Sequence, residues 1–299
     1  MSTTLAVSLA QIEVIPLDAD ANGAKLEAIA RREAAAGARL IVFPELCNTG
    51  YIEPLAPGQP FTDPGLSHAD YGHRLYQSAT TLEGELIQRL IRVAVEYDCH
   101  LVTGLALRHP ELTGALLNAS VLIGPGGVCS IYAKAHLWHN EKLYFVPGQR
   151  FPVCQTPIGR IGMQVCYDIR FPEVTRSLAL AGAELVTNVW ASFRELDRPP
   201  TDPLLFHHRA FTRAQENGLY FLSCNRVGEH GGYRFMGRSL VAAPDGTIIG
   251  ALDHEEEDCL RVEIKLDEIE RYRMATGIFT DRRPALYQAL NRPADGPTG

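Results

Sequence analysis

A cysteine, a glutamate and a lysine stand out because each sits where a strand-like run stops. Cys166 lies in Gly162-Met163-Gln164-Val165-Cys166-Tyr167-Asp168, after an apolar run and before a polar turn and a helix. A thiol at such an elbow sits at a sheet edge, where the positive end of the next helix can lower its pKa. A buried core cysteine fits the same position, since free Cys is commonly enclosed. Glu45 follows the apolar run Leu40–Phe43 and a proline. A carboxylate against an apolar wall can serve as a base, and a surface or capping glutamate is the plainer alternative. Lys134 interrupts the apolar stretch Ile131–Leu137. A buried ammonium there needs a carboxylate partner or a functional reason, whereas an edge-strand lysine simply points to water.

The elements that must hold these residues alternate between strand-like and helical patterns. Thr4–Gln11, Leu40–Phe43 and His100–Leu107 read as strands, and Asn22–Ala36 and Leu82–Tyr97 as helices. Asn118–Ile123 and Cys129–Ala133 flank Gly124-Pro125-Gly126-Gly127 as a hairpin. A turn and strand over Ile158–Cys166 precede a helix at Pro172–Ala181, then a strand at Leu185–Asn188. A helix at Leu204–Asn217 leads into the strand Leu219–Asn225. Phe235–Ala243 and Thr247–Leu252 read as a second hairpin. This order predicts a mixed sheet core covered by helices, with Glu45, Cys166 and Asn188 at or near strand C-termini, where open sheets place ligands. Tyr51–Ser78 is rich in Pro, Gly and aromatics, and reads as a long functional loop roofing the pocket.

Composition narrows the partners. The chain has 299 residues, 46% hydrophobic, with a net charge of −7 and a pI near 5.8. No basic footprint for nucleic acid and no polybasic membrane patch is present. No apolar run of 18 residues predicts a membrane span, and the start Met1-Ser2-Thr3-Thr4-Leu5 lacks a signal-peptide pattern, so the cytoplasm is the expected compartment. Seven scattered cysteines without a C-x-x-C pair argue against a zinc or redox motif, and most read as small buried residues. The ten histidines show no metal-ligand spacing, and His136 and His139 read as hydrogen-bonding residues. Neither a metal nor another cofactor is expected.

Taken together, three segments resemble the nitrilase superfamily of carbon–nitrogen hydrolases. They are Phe43-Pro44-Glu45-Leu46 with Thr49-Gly50-Tyr51, then Tyr132-Ala133-Lys134-Ala135-His136-Leu137, then Val165-Cys166-Tyr167-Asp168-Ile169-Arg170-Phe171-Pro172-Glu173. Glu141 to Gly148 resembles the segment bearing the family's second glutamate, and Arg213-Ala214-Gln215-Glu216-Asn217 its Arg-Ala-x-Glu-Asn helix end. Gly237-Arg238-Ser239 with Pro244-Asp245-Gly246 resembles its late hairpin.

The resemblance implies an α/β fold of the α-β-β-α sandwich type. It implies one carbon–nitrogen hydrolase domain over 1–299: a core over about 5–266, a dimerisation arm over about 267–290 and a frayed tail at 291–299. It further implies a homodimer or higher homo-oligomer. It also implies Cys166 as nucleophile, Glu45 as general base, Lys134 with the Tyr167 backbone N–H as oxyanion donors, and Glu141 as the carboxylate that holds the lysine.

The residues just after the cysteine point to the branch. Nitrilases usually carry Trp-Glu there; Tyr167-Asp168 resembles the amidase and carbamoyl-hydrolase side. The D-carbamoyl amino-acid hydrolases carry two adjacent arginines where this chain has Ile169-Arg170, so half of that clamp is absent. Asp168-Ile169-Arg170 reads first as an internal ion pair bracing the turn, and second as placing Arg170 against a substrate carboxylate. Tyr51, Trp190 and Phe193 are candidate pocket walls suited to an uncharged acyl group. The expected reaction is hydrolysis of a small carboxamide to a carboxylate and ammonia. An N-carbamoyl amine or amino-acid hydrolase is the alternative; with only Arg170 in place of an arginine pair, carbamoyl amino acids are expected to bind less well than comparable amides. A nitrilase, or an inactive binding module on the same fold, stands further off.

Overall fold

The computed structural model describes residues 4–199, 202 and 204–291. Two six-stranded sheets lie face to face. The first runs, edge to edge, Asp258–Lys265, Thr4–Gln11, Leu40–Val42, His100–Arg108, Leu116–Gly124, Gly127–Ala133. The second runs Ile248–Ala251, Leu240–Ala242, Tyr220–Asn225, Leu185–Trp190, Gly159–Val165, Val153–Thr156. The three central strands of each sheet pair in parallel and the outer ones antiparallel. All the parallel strands within a sheet therefore end on one side, where a ligand site is expected.

The alternation of side chains along each strand explains the layers. Leu40 and Val42 meet Met163, Val165 and Val189 between the sheets. Ile41, one residue out of phase, faces the other way onto Leu26, Ala30, Leu90 and Val93 of the helices Ala19–Ala35 and Glu85–Tyr97. On the second sheet Val186 and Phe221 face Val174, Leu178, Phe206 and Ala210 of the helices Pro172–Leu180 and Leu205–Gln215. Both faces of each sheet are covered at its centre, so Leu40–Val42, His100–Arg108, Leu185–Trp190 and Tyr220–Asn225 are buried almost throughout, while the edge strand Asp258–Lys265 alternates with exposed charged residues. The result is the α-β-β-α sandwich.

Several boundaries differ from the sequence reading for physical reasons. Tyr51–Ser78 is not loop throughout. His68–Ser78 is a helix, capped by Ser67 Oγ accepting from the Asp70 N–H at 3.2 Å, and it buries Tyr71 and Leu75 four residues apart. Of the whole segment only Tyr51 lines the cavity at Cys166. The run Phe235–Ala243 splits, because Gly237 and Arg238 take left-handed φ values of 56° and 60°. Tyr233–Phe235 joins Phe193–Glu195 and Glu229–His230 in a small third sheet, and Leu240–Ala242 stays in the main one. The strand at Leu185 runs on to Trp190, so Asn188 is a buried sheet residue accepting from Gln164 Nε2 at 2.9 Å. Asp267–Thr276 is a helix followed by short turns, with Met274, Leu286 and Leu290 exposed. Of the tail 291–299, residues 292–299 lie outside the described residues. Among the described residues no helix is long and apolar enough to cross a membrane.

Candidate active site

Glu45, Lys134 and Glu141 come from three separate segments and converge with none of their side chains exposed. Glu45 lies just past the strand Leu40–Val42. Its backbone N–H donates to Trp190 O at 3.2 Å, tying the end of one sheet to the end of the other. Its position requires Gly104 on the neighbouring strand. A Cβ there would lie 2.5 Å from both Glu45 Cα and Pro44 O. Lys134 follows the strand Gly127–Ala133 and is held similarly. Gly148 N donates to Lys134 O at 2.9 Å, and a Cβ on Gly148 would lie 2.0 Å from Ala133 O.

Lys134 Nζ donates at 2.7 Å to Glu45 Oε1 and at 2.7 Å to Glu141 Oε1. Burial acts to lower the ammonium pKa, but the two carboxylates outweigh it and the net shift is upward. Glu141 lies in the short 3-10 turn His139–Leu143. Its Oε1 also accepts from Tyr51 OH at 2.6 Å, and its Oε2 from the Trp138 N–H at 3.0 Å. Burial raises its pKa; Lys134 opposes this without cancelling it. Asn118 Nδ2 donates to Glu45 Oε1 at 2.7 Å. Glu45 Oε2 is buried and has no hydrogen-bond partner among the described residues.

Cys166 is the first residue of the 3-10 turn Cys166–Arg170, with φ of +46°. A left-handed φ on a residue with a Cβ costs roughly 1–3 kcal/mol and persists only where the surroundings enforce it. Asp168 supplies the enforcement. Its carboxylate accepts from the N–H of Val165 at 3.0 Å, from Tyr132 OH at 2.7 Å and from the His136 backbone N–H at 3.1 Å, and lies 2.8 Å from His136 Nδ1. Arg213 completes it, donating to Ile169 O at 2.7 and 3.1 Å.

This corrects the Asp168–Arg170 ion pair expected from sequence. Asp168 is already occupied by Tyr132 and His136, and the bracing arginine is Arg213. Arg170 is instead exposed and lies over the rings of Trp138 and Tyr167, 5.2 and 5.6 Å from their centroids. The expected lowering of the thiol pKa is also corrected. Desolvation, and then the charge of Glu45, push Cys166 well above the ordinary thiol range. Lys134 and the Ala191 N–H pull the other way more weakly.

A cavity of about 130 Å³ opens at Cys166. Tyr51, Tyr167, Trp190, Phe193 and Arg170, all singled out in the sequence, line it. Trp138, Ile169, Ser192 and Arg209 line it too and were missed. Nothing in the spacing around Cys166 marks Arg209, which arrives from the helix Leu205–Gln215. Asn118 likewise carries no local mark beyond its place in a strand. Among the described residues no cluster of three His, Cys, Asp or Glu side chains is arranged to hold a metal ion.

Two helix-flanked sheets with a cysteine elbow and a buried carboxylate–lysine–carboxylate group at one end define the class of protein. The family model described as Carbon-nitrogen hydrolase matches residues 6–274, and the chain belongs to that family, within the nitrilase superfamily. It is 31% identical over 288 residues to a nitrilase of Pyrococcus abyssi, covering 94% of this chain and 99% of the relative. It is 32% identical over 260 residues to an (R)-stereoselective amidase of a Pseudomonas species, covering 86% and 84%. Among solved structures, an amidase from a Nesterenkonia species superposes with a TM-score of 0.74 at 27% identity, covering 96% of each chain. A mutant of the amidase from Nesterenkonia sp. AN1, which superposes with a TM-score of 0.74 at 27% identity, carries the acetamide moiety of fluoroacetamide covalently added at its active-site cysteine.

Proposed function

We propose that this carbon–nitrogen hydrolase cleaves a small carboxamide to a carboxylate and ammonia through a thioester on Cys166. The observation that carries this is the unequal treatment of the two oxygens of Glu45. Oε1 is saturated by Lys134 and Asn118, and Oε2 is enclosed with nothing to bond. An unpaired buried carboxylate oxygen is costly. A base awaiting a proton has that oxygen.

Cys166 rests as a thiol. As its sulfur attacks the amide carbon, Glu45 Oε2 takes the thiol proton. The carbonyl π pair moves to oxygen. That oxyanion is met by Lys134 Nζ, an ammonium with three N–H groups of which two go to Glu45 and Glu141, and by the Tyr167 backbone N–H. Collapse of the intermediate expels ammonia, with Glu45 returning the proton to the leaving nitrogen. The regenerated carboxylate then draws a proton from water. Hydroxyl adds to the thioester, and the thiolate leaves and recovers its proton. Glu141 stays hydrogen-bonded throughout and holds Lys134 in place.

The nitrilase and amidase relatives share a family that includes both chemistries, so substrate preference is read from this chain. Tyr167-Asp168, standing where nitrilases usually carry Trp-Glu, supports amides over nitriles. The test is ammonia release from a panel of aliphatic amides, N-carbamoyl compounds and nitriles, with Cys166→Ala as control. Amides are expected to exceed nitriles by at least about a hundredfold in kcat/KM, and Cys166→Ala to abolish turnover. Nitriles outpacing amides, or activity surviving in Cys166→Ala, would falsify the proposal.

A further inference from the structure

Arg170 and Arg209 both line the cavity that contains Cys166. They reach it from different directions, Arg170 at the end of the turn that Cys166 begins and Arg209 from the middle of the helix Leu205–Gln215. Their guanidinium groups lie over its aromatic walls, Arg170 over Trp138 and Tyr167, and Arg209 at 5.8 Å from the Trp190 centroid. Among the described residues, neither makes an ion pair with a carboxylate. Arg213, one helical turn beyond Arg209, is fully engaged by Ile169 O and by Glu216 at 2.9 Å. The helix therefore presents one arginine that braces the elbow and one with no acceptor among the described residues.

Two unpaired cations in one cavity of a chain whose net charge is −7 are not a background effect. Burial, and after it the charge of Arg170, lower the Arg209 pKa, so the two guanidinium groups sense each other across the cavity. An anion placed between them relieves that repulsion and supplies the acceptors that both forks lack.

We propose that Arg209, together with Arg170, forms an anion subsite in this cavity, and that the amide cleaved at Cys166 carries a carboxylate at its other end. The inference rests on the amide-hydrolase reading above and replaces the uncharged acyl group expected from the aromatic walls. Arg209 stands 39 positions after Arg170, and only the fold brings the two to the same cavity. The planar guanidinium fork suits a carboxylate, and a cavity of about 130 Å³ favours a short acyl chain between the two ends.

The experiment compares succinamate with butyramide, an anionic and a neutral four-carbon amide, in ammonia release by the wild-type protein, Arg209→Met and Arg209→Lys. Wild type is expected to favour succinamate by at least tenfold in kcat/KM. Arg209→Met is expected to lower kcat/KM for succinamate at least tenfold, mainly through KM, bringing the ratio of the two substrates toward one. Arg209→Lys is expected to restore part of the ratio. A wild type that prefers butyramide, or an Arg209→Met protein that loses both substrates by the same factor, overturns the anion subsite and leaves the amidase reading standing. No ammonia from any amide, neutral or anionic, overturns that reading itself and this inference with it.

Discussion

Glu33 and Glu45 are both completely enclosed glutamates beside cations, and they are built for opposite ends. Glu33 sits in the helix Ala19–Ala35. Its Oε1 accepts from Arg32 and Arg261 at 2.9 Å each, and its Oε2 from Ser8 at 2.9 Å and from Arg261 at 2.6 Å. Every lone-pair direction has a partner. The arginines outweigh desolvation, and the pKa drops to about 2. Glu45 also has two donors, but both go to Oε1. A saturated carboxylate has no capacity to accept a proton near neutral pH and serves to hold the strand Asp258–Lys265 onto the sheet through Arg261. A half-saturated one is anchored by one oxygen and leaves the other bare, as the proposed base requires.

The sharpest way to break this contrast is Glu45→Gln. It keeps the shape and removes the proposed base, so kcat is expected to fall by about a thousandfold, in the range general-base loss produces, with the folded state retained by circular dichroism. A variant within about tenfold of wild type, which corresponds to only ~1.4 kcal/mol of barrier, would mean that Oε2 is not the base.

Next in size is Asn118→Ala. It leaves Glu45 Oε1 to Lys134 alone and frees the side chain to turn. A loss of roughly tenfold to thirtyfold in kcat is expected, scaled to one charge-assisted hydrogen bond of about 1.5–2 kcal/mol. An unchanged rate would show that Lys134 alone fixes the orientation of Glu45.

Glu33→Gln is the smallest and the mirror image. Catalysis should persist, while thermal stability falls by roughly 1–2 kcal/mol, or several degrees in Tm. The arginine partners are more than half exposed, which limits the loss by solvent screening. The sign with pH comes from the depressed carboxyl. Its contribution is present above the unfolded pKa of about 4.5 and fades as pH falls toward about 2. The stability difference between wild type and Glu33→Gln should therefore shrink on acidification from pH 5 to pH 2. A gap that widened would reverse the assignment.

Much of the site was legible before folding because the chemistry-bearing residues stand at ends of apolar runs. Glu45, Lys134, Glu141 and Cys166 were located by local motif, and Tyr51, Tyr167, Trp190 and Arg170 do line one cavity. Their bonds were less legible. Tyr51 was read as an apolar wall, yet its hydroxyl holds Glu141. Asp168 and Arg170, close together in a turn, suggested a pair, yet Tyr132 and His136 reach Asp168 first. The helix His68–Ser78 was hidden because its apolar face is only two buried residues long inside a Gly- and Pro-rich stretch.

The sequence by itself determined the layers and the reactive residue types. Strand and helix periods are local properties, and a motif of adjacent residues keeps its geometry wherever the chain goes. Tertiary structure alone decided which oxygen of Glu45 is left bare, that the Cys166 thiol is pushed up rather than down, and that Arg209 joins Arg170. Each of these depends on desolvation and on charges brought together from distant segments. Those terms depend on the distances between side chains in space, and no spacing along the chain contains them.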